Sequence, residues 1–222
     1  MKSSSVQKHF DKVAKGYDSG KQKYSFYYEN LKKLLGSIIP PNSKVCEIGC
    51  GTGDLLSSLK PKFGYGMDVS GEMIKRAKKK HKLKKNLKFS TIWPSSNSKH
   101  FDYIFMSDVV EHLDDPQGTF QMISRLMDKN SIFVNTMANP IWEPILMFWE
   151  SRGWKMKEGP HKRIRYIDIK ILSKKVGLKI VKHDYKLLIP IKIPLITNFA
   201  NNYLERFLKP LAFIEYFVAI KV

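Results

Sequence analysis

Cysteine is scarce in this sequence, which has only Cys46 and Cys50 among its 222 residues. Two cysteines alone do not suggest a disulfide framework or a zinc site, so we expect reduced thiols in a cytoplasmic protein. Long apolar runs are also missing, and none reaches the roughly 18 residues that a membrane-spanning helix needs. The sequence begins without the apolar region of a signal peptide, so we expect no export.

Acidic residues are the second shortage, because 20 Asp and Glu face 39 Lys and Arg, for a net charge of +19 at pH 7. Such an excess raises the hypothesis of a nucleic-acid partner. However, most of the basic residues are lysines, whereas specific recognition of bases relies on arginine. The densest basic run, residues 75–85, lies toward the end of a helix predicted after Ser70, away from the side on which α/β sheets bind ligands. A solvated basic face is therefore favoured, and a nucleic-acid contact stays an alternative.

The residues that are plentiful indicate a globular α/β protein. A hydrophobic fraction of 43% and a charged fraction of 27% are typical of one folded domain of this length. Strand-like and helical segments alternate from residue 44 to 136, which predicts a parallel sheet covered on both faces. We predict a helical lid over residues 1–43, a ligand-binding core over 44–136, and apolar inserts with sheet completion over 137–222. The predicted strands cover residues 44–48, 63–67, 87–92, 101–106, 131–135, 178–185 and 212–222, and the predicted helices cover 5–17, 24–35, 54–59, 70–81, 116–127 and 166–176.

Three glycines at alternate positions, Gly49, Gly51 and Gly53, separate an apolar strand from the helix that follows it. Glycine adopts positive φ easily and lets a ligand approach the backbone closely. A strand–turn–helix junction also directs free N–H groups toward whatever lies above it. A phosphate-binding loop would need Lys and then Ser or Thr after the last glycine, but Asp54 and Leu55 stand there. The spacing also differs from the nicotinamide fingerprint, so the turn predicts a binding site that neither motif explains.

The segment Glu47-x-Gly49-x-Gly51-x-Gly53 resembles the first motif of class I S-adenosylmethionine-dependent methyltransferases. Three further segments resemble motifs of that family in the expected order along the chain. Residues 9–18 are similar to the N-terminal signature of the methyltransferases of ubiquinone, menaquinone and biotin synthesis, in the methyltransferase type 11 group. Residues 65–74 and 101–113 resemble the family's second-strand and fourth-strand motifs.

This resemblance implies a Rossmann-like, mostly parallel sheet of seven strands with an antiparallel last strand and apolar lid inserts. It implies S-adenosyl-L-methionine as the cofactor and S-adenosyl-L-homocysteine as the product. Asp68 would accept the ribose hydroxyls, Val69 would contact adenine, and Tyr17 would lie over the cofactor. The acid that the family carries after the third strand is absent, so hydroxyl groups and backbone would hold adenine there. The predicted cofactor-binding residues are Glu47, Gly49, Gly51, Gly53, Asp68, Val69, Thr91 and Ser107.

Candidate catalytic and metal-binding residues follow the fourth predicted strand. Asp108, Glu111 and His112 have i, i+3 and i+4 spacing, so one helical turn would place them on one face. Such a set can bind a divalent cation that activates a hydroxyl, and the resemblance to ubiquinone-pathway O-methyltransferases suggests Mg²⁺, although these favour Glu where this chain has Asp108. Alternatively, His112 and Tyr17 serve catalysis without a metal, or Asp108 caps a helix and the other two make structural hydrogen bonds. His161 is the other imidazole that could reach the cleft.

Two apolar segments, residues 142–149 and 187–196, follow the fifth and sixth predicted strands, and we expect them over the substrate cleft. Their aromatic and aliphatic side chains with basic neighbours suit peripheral contact with a membrane, and the alternative is a lid that completes the core. Either arrangement predicts an acceptor with hydrophobic bulk. We predict a methyltransferase for a small-molecule or lipid-linked acceptor, at oxygen rather than nitrogen or carbon. An RNA methyltransferase and a non-catalytic cofactor-binding protein are the alternatives.

Overall fold

The computed structural model describes residues 4–95, 100–153, 162 and 164–222. Within these residues, the strands form one seven-stranded sheet. Five strands follow one another in the first part of the chain and two complete the sheet near its end. They are β1 (Lys44–Ile48), β2 (Phe63–Met67), β3 (Leu87–Ser90), β4 (Tyr103–Ser107), β5 (Ile132–Ala138), β6 (Leu178–Lys186) and β7 (Ile214–Lys221).

The spatial order of the sheet is β3-β2-β1-β4-β5-β7-β6. All pairs among β1 to β5 are parallel, whereas β7 runs antiparallel to both β5 and β6. This arrangement confirms the predicted fold class, including the antiparallel last strand. Because β1 lies between β2 and β4, the strand order reverses there, and α/β sheets bind ligands outside the carboxyl ends of the strands at such a point.

The helices cover both faces of the sheet, and the helices of the N-terminal segment lie above one edge. The predicted helix over residues 5–17 is interrupted by a 3₁₀ turn at Ala14–Gly16, where Gly16 leaves the helical region with φ −102° and ψ 3°. The helices are α1 (Ser5–Val13), α2 (Tyr17–Lys23), α3 (Ser25–Ile38), α4 (Asp54–Ser58), α5 (Gly71–Lys80), α6 (Pro116–Leu126), α7 (Glu143–Ser151), α8 (Tyr166–Lys175) and α9 (Ile196–Phe199).

Local signals in the sequence set several of these boundaries. Ser70 precedes α5, and its side chain accepts a hydrogen bond from the Met73 amide at 3.1 Å, as an N-cap does. Gly177 follows α8 with φ +74°, the left-handed conformation that ends many helices. Across the described residues, no helix combines the length and the apolar composition needed to cross a bilayer.

Alternate residues of the central strands point into two separate apolar layers. Val45 and Phe105 belong to the layer that includes side chains of α3, α4 and α5, and Cys46 and Ile104 belong to the layer beneath α6 and α8. Both faces are therefore buried, as a parallel sheet requires. Cys46 and Cys50 are buried free thiols, and burial raises the pKa of Cys46 well above its ordinary range, so we expect an unreactive thiol.

Candidate active site

A cavity of about 590 Å³ opens beside the carboxyl ends of β1, β2 and β4. Its volume is typical of small-molecule sites. The N-terminal helices and the two apolar inserts supply the opposite walls. The predicted residues that line it are Tyr17, Glu47, Gly49, Gly51, Asp68, Val69, Ser107, Asp108, Glu111 and His112.

Two predicted cofactor residues, Thr91 and Gly53, are not among the side chains that line the cavity. Thr91 is exposed just after β3, and Trp93 contributes to the cavity wall instead. Gly53 has φ +80°, and a Cβ added there would lie 2.5 Å from the Phe89 ring. Packing and backbone conformation are therefore sufficient reasons for glycine at position 53.

Three amides of the glycine turn, those of Gly49, Cys50 and Gly51, are already hydrogen-bonded within the protein. The amides of Gly49 and Cys50 both donate to the Met67 carbonyl, at 2.7 and 2.9 Å. The Gly51 amide donates to Oδ2 of Asp68 at 2.8 Å. These three donors are therefore bonded to the end of β2 and to Asp68, which follows it.

Asp68 is held rigidly at the end of β2. Its two oxygens accept hydrogen bonds from the amides of Gly51 at 2.8 Å and Ser70 at 2.9 Å. Burial raises the pKa of Asp68 above its ordinary value, although these two hydrogen bonds act in the opposite direction. Since a carboxylate offers about four acceptor positions, Asp68 retains capacity for two further hydroxyl donors.

Glu47 is buried at the end of β1, where its Oε2 accepts a hydrogen bond from the Leu56 amide at 3.1 Å. Burial raises the pKa of Glu47 to about 8, while nearby Lys21 lowers it. The carboxyl group is therefore largely protonated at neutral pH. A cationic group placed beside it would favour the ionised form.

Two aspartates fasten the N-terminal helices onto the core. Asp11 accepts a hydrogen bond from the Ser70 hydroxyl at 2.6 Å, and Asp18 accepts one from the Thr52 hydroxyl at 2.6 Å. Lys80 also contacts Asp18, at 2.9 Å. Both aspartates belong to the signature at residues 9–18, for which the sequence had suggested a role only for the tyrosine.

Tyr17 lies directly over the glycine turn, with its Cε1 3.1 Å from the point where a Cβ of residue 51 would lie. Burial and the nearby carboxylates of Asp68 and Asp108 raise the pKa of Tyr17 far above its ordinary value of 10. The phenol therefore stays neutral and can donate a hydrogen bond, but it is unsuited to act as a base.

The aromatic side chains of α3 form a further wall of the cavity. The sequence indicated only that they recur at helical spacing. The Tyr27 hydroxyl donates to Oδ2 of Asp108 at 2.7 Å. The Lys21 ammonium lies 4.7 Å from the ring centroids of both Tyr17 and Tyr28, within the range of cation–π interactions. The helical spacing of these tyrosines was visible in the sequence, but which way the stripe faced was not.

The structure does not support the predicted metal site. Asp108 has φ +54°, and Val110–His112 is a 3₁₀ turn, so Asp108, Glu111 and His112 do not share one face of an α-helix. In the part of the chain that the structure describes, no group of three or more His, Cys, Asp or Glu side chains could hold a metal ion. The Mg²⁺ prediction is therefore without support in the described residues. Asp108 does not cap the turn either, because Val109 is its N-cap residue, and His161 lies outside the described residues.

The two apolar inserts meet beside the cavity. Leu146 and Trp149 of α7 line it, as do Pro190 and Ile191 of the second insert. The indole N–H of Trp142 donates to the Leu211 carbonyl at 2.9 Å, which joins one insert to the other. The prediction that both segments lie over the cleft is confirmed.

Comparison with known proteins agrees with this geometry. A family profile described as a methyltransferase domain matches residues 20–183, well over half of the chain. The chain belongs to this methyltransferase family. Its fold and its relatives make it a class I S-adenosylmethionine-dependent methyltransferase.

Two relatives of this methyltransferase show how far the similarity extends. An uncharacterized protein of Methanocaldococcus jannaschii is 28% identical over 184 residues, which cover 82% of the chain and 71% of that protein. The ubiquinone biosynthesis O-methyltransferase of Pelagibacter ubique is 37% identical over 103 residues, which cover 43% of the chain and 42% of that enzyme. The chain thus matches less than half of the relative that has a named activity.

A solved structure extends the comparison to nearly the whole fold. An N-methyltransferase from Bradyrhizobium japonicum, in complex with S-adenosyl-L-homocysteine, has a TM-score of 0.66 and 14% sequence identity. The alignment covers 98% of the methyltransferase described here and 99% of that chain. At this identity the likeness concerns the fold.

The cavity is lined mainly by acidic rather than basic charged residues, whereas the methyltransferase as a whole is basic. Lys21 is the one lysine or arginine among the described residues that line it, although the chain has a net charge of +19. Six acidic residues share the same wall. They are Glu47, Asp68, Asp108, Glu111, Asp114 and Asp115.

The basic run at residues 75–85 lies partly closer to the cavity than predicted. Lys80 contacts Asp54 at 2.7 Å, and the His81 ring lies 3.1 Å from the Thr52 carbonyl. Because α4 is only five residues long, the end of α5 reaches the outer side of the glycine turn. Most of the remaining lysines of the run are exposed.

Proposed function

We propose that this methyltransferase transfers the methyl group of S-adenosyl-L-methionine to a hydroxyl oxygen of a small or lipid-like acceptor with an apolar body. The observation that carries the proposal is the composition of the cavity. Its floor is acidic within a strongly basic protein, and its outer wall is formed by the apolar side chains of two inserts. The floor suits a cationic cofactor, and the wall suits an apolar acceptor.

The residues at the strand ends fit S-adenosylmethionine. Asp68 would accept the ribose hydroxyls, because its carboxylate is fixed by two amides and still has acceptor capacity. Val69 is apolar and 45% exposed beside it, and with Trp93 it would contact adenine. Glu47 and Ser107 complete the floor of the cavity. When bound, the cofactor supplies a methyl group activated by a sulfonium.

Acidic groups on the floor favour the sulfonium and ammonium charges of this cofactor. Asp68, Asp108 and Glu47 are close enough to Tyr17 to raise its pKa together. A positive ligand would relieve their mutual repulsion and would favour the carboxylate form of Glu47. The same floor disfavours a polyanionic acceptor, so nothing in the cavity favours the RNA alternative.

A hydroxyl acceptor must lose its proton as the new bond forms, and His112 and Asp108 line the cavity where it would enter. We assign His112 as the group that takes the proton, in the neutral form of its imidazole. Tyr27 donates to Oδ2 of Asp108 at 2.7 Å and fixes that carboxylate. Tyr17, neutral and buried over the glycine turn, would exclude water from the reacting groups.

Calorimetry with S-adenosylmethionine and S-adenosylhomocysteine tests the cofactor half of the proposal. Asp68→Ala should weaken binding at least about tenfold, or roughly 1.4 kcal/mol. Asp184→Ala is the matched control. Asp184 lies on β6, pairs with Lys209, and does not line the cavity. Equal loss in both variants, or no heat with either ligand, would overturn the cofactor assignment.

Transfer of a labelled methyl group tests the acceptor half. The protein would be incubated with methyl-labelled S-adenosylmethionine and cell extract separated into lipid, polar small-molecule and RNA pools. We expect label in the lipid pool as an ether that survives mild alkali and acid. Label confined to the RNA pool would contradict the proposal, as would label on nitrogen or carbon.

A further inference from the structure

The second insert and the residues that follow it, 187–211, turn three polar side chains inward and leave several large apolar side chains exposed. Thr197, Asn201 and Glu205 follow one another at intervals of four residues, and all three face the preceding loop. Thr197 accepts a hydrogen bond from the Ile193 amide at 2.8 Å, and Asn201 accepts one from the Ile189 amide at 2.8 Å. The backbone of the insert is therefore fixed without use of its apolar face.

The opposite side of the same segment is a stripe of large apolar residues. Leu195, Phe199, Tyr203 and Phe207 also recur every four residues, and the Phe199 and Tyr203 rings lie 5.5 Å apart. Leu195 is 87% exposed and Phe207 is 70% exposed. We call these four residues the outer stripe.

The tip of the outer stripe has an unusual backbone. Leu195 has φ +63° and ψ −47°, and the Ile196 amide donates to the Pro194 carbonyl at 2.7 Å, which closes a γ-turn. This conformation is rare and strained for a residue other than glycine. It holds a leucine side chain outward, where it gains nothing from packing within the fold.

The exposed charges around the outer stripe are positive. Residues 187–211 contain Lys192, Arg206 and Lys209, of which Lys209 pairs with Asp184 at 2.8 Å, and a single acid, Glu205. Glu205 is buried, where it contacts Lys186 at 2.7 Å and accepts a hydrogen bond from the Leu187 amide. The Arg206 guanidinium lies 4.5 Å from the centroid of the Phe207 ring, so a positive charge sits at the edge of the apolar surface.

We propose that the outer stripe docks this methyltransferase onto the surface of a bilayer that contains anionic lipids. Exposed apolar side chains bordered by positive charges are the features that hold a protein in the headgroup region. A second copy of the chain fits less well, because a symmetric contact would oppose like charges within a protein of net charge +19. Ile191, at the start of the insert, lines the cavity, so docking brings the cavity wall to the lipid surface.

Docking goes beyond the proposed activity and does not depend on it. Delivery of an apolar acceptor from the bilayer into the cavity, by contrast, depends on the proposed function. For this reason the test uses vesicle binding without cofactor. Cofactor affinity in solution is measured separately on the same variants.

Co-sedimentation of the full chain with vesicles provides the measurement. One set of vesicles is phosphatidylcholine, and the other is an equimolar mixture of phosphatidylcholine and phosphatidylglycerol. We expect tight binding to the mixed vesicles, at least about tenfold weaker binding to the neutral ones, and partial loss of binding at high salt.

A double variant, Phe199→Ser with Phe207→Ser, removes two aromatic side chains of the outer stripe. It should weaken binding to the mixed vesicles at least about tenfold, because the apolar part of docking is lost. The matched control is Ile92→Ser with Val181→Ser, since Ile92 is 71% exposed and Val181 is 51% exposed. Neither of these lines the cavity, and the control should bind like the unmodified protein.

Several results would overturn the proposal. Failure of the unmodified protein to bind the mixed vesicles would do so, as would equal binding of the double variant. A dimer in sedimentation analysis that disappears in the double variant would assign the outer stripe to a second copy instead. Unchanged S-adenosylhomocysteine affinity in the double variant would show that it is folded and would keep this test independent of the proposed activity.

Discussion

Among single residues, Glu47 provides a direct link between pH and folding. Its pKa is raised from 4.5 to about 8 by burial. Between these values the folded protein binds a proton that the unfolded chain has released, so stability from this group is present at low pH and is lost as the pH rises through 8. We expect the free energy of unfolding to fall by up to about 1.4 kcal/mol per pH unit in this window.

Urea unfolding at a series of pH values from about 5 to 8 measures this slope. Glu47→Gln should flatten it, whereas Glu29→Gln should leave it unchanged because Glu29 is exposed and pairs with Lys32 on the surface. Asp68 also has a raised pKa and should leave a smaller slope in the variant. Parallel profiles for Glu47→Gln and the unmodified protein would contradict the assignment.

The three glycines of the turn are required by different neighbours, and this difference can be tested at Gly53. Alanine there combines φ +80° with a Cβ 2.5 Å from the Phe89 ring. Left-handed strain and overpacking together should lower the free energy of unfolding by about 2–4 kcal/mol. Gly71→Ala is the control, because Gly71 begins α5 with no atom near its added Cβ, and it should be neutral or slightly stabilising. Equal effects in denaturant unfolding would contradict this explanation.

Sequence reasoning located the acids and glycines of the site but not their partners. The spacing from Glu47 to Gly53 and the position of Asp68 at a strand end sufficed to place them near one cavity. By contrast, the left-handed φ of Asp108 depends on tertiary contacts that no spacing encodes, and it separates residues that an ideal helix would bring together.

At the scale of elements, the N-terminal helices are attached to the core at two points, Asp11 and Asp18, and we expect them to act as a lid. Asp18 links α2 to the glycine turn through Thr52 and Lys80. Asp18→Ala removes both contacts, of which the ion pair is partly exposed and contributes little. We expect the lid to open more often and S-adenosylhomocysteine to bind about three- to thirtyfold more weakly, as the loss of a charged hydrogen bond implies.

Limited proteolysis within residues 5–23, together with calorimetry, would measure these two effects. Glu29→Ala on α3 is the control, since its contact with Lys32 lies on the exposed side of the same lid. If Asp18→Ala weakened cofactor binding without faster cleavage of the lid, a loosened lid would not be the cause.

Strands were easier to predict than connections. The bounds of β1 and β2 match the predicted residues 44–48 and 63–67, because four of the five residues in each strand are buried and most of them are apolar or small. The N-terminal helix was predicted as one piece, since its helical periodicity continues across the break at Gly16. The sequence also could not show that the outer stripe faces outward. A helix with its apolar side chains outward has the same periodicity as one with its apolar side chains toward the core.

Across the whole molecule, net charge and local charge lead to opposite expectations for a nucleic-acid partner. The composition predicts attraction to polyanions, but six acids line the cavity and the exposed lysines of residues 75–85 lie outside it. At physiological ionic strength, charges more than about 8 Å apart are largely screened. The chemistry of the cavity is therefore set by its own acids rather than by the excess of lysine.

Competition with heparin fragments distinguishes the effect of the exposed lysines from the effect of the acids in the cavity. We expect heparin to bind the exposed lysines at low salt and to release the protein steeply as salt rises. Because the fragments are repelled from the acidic cavity, S-adenosylmethionine affinity measured by calorimetry should change by less than about twofold in their presence at physiological salt. If heparin weakened cofactor binding tenfold, a polyanion would have to lie across the cavity mouth, and the acceptor would then be sought among nucleic acids instead of lipids.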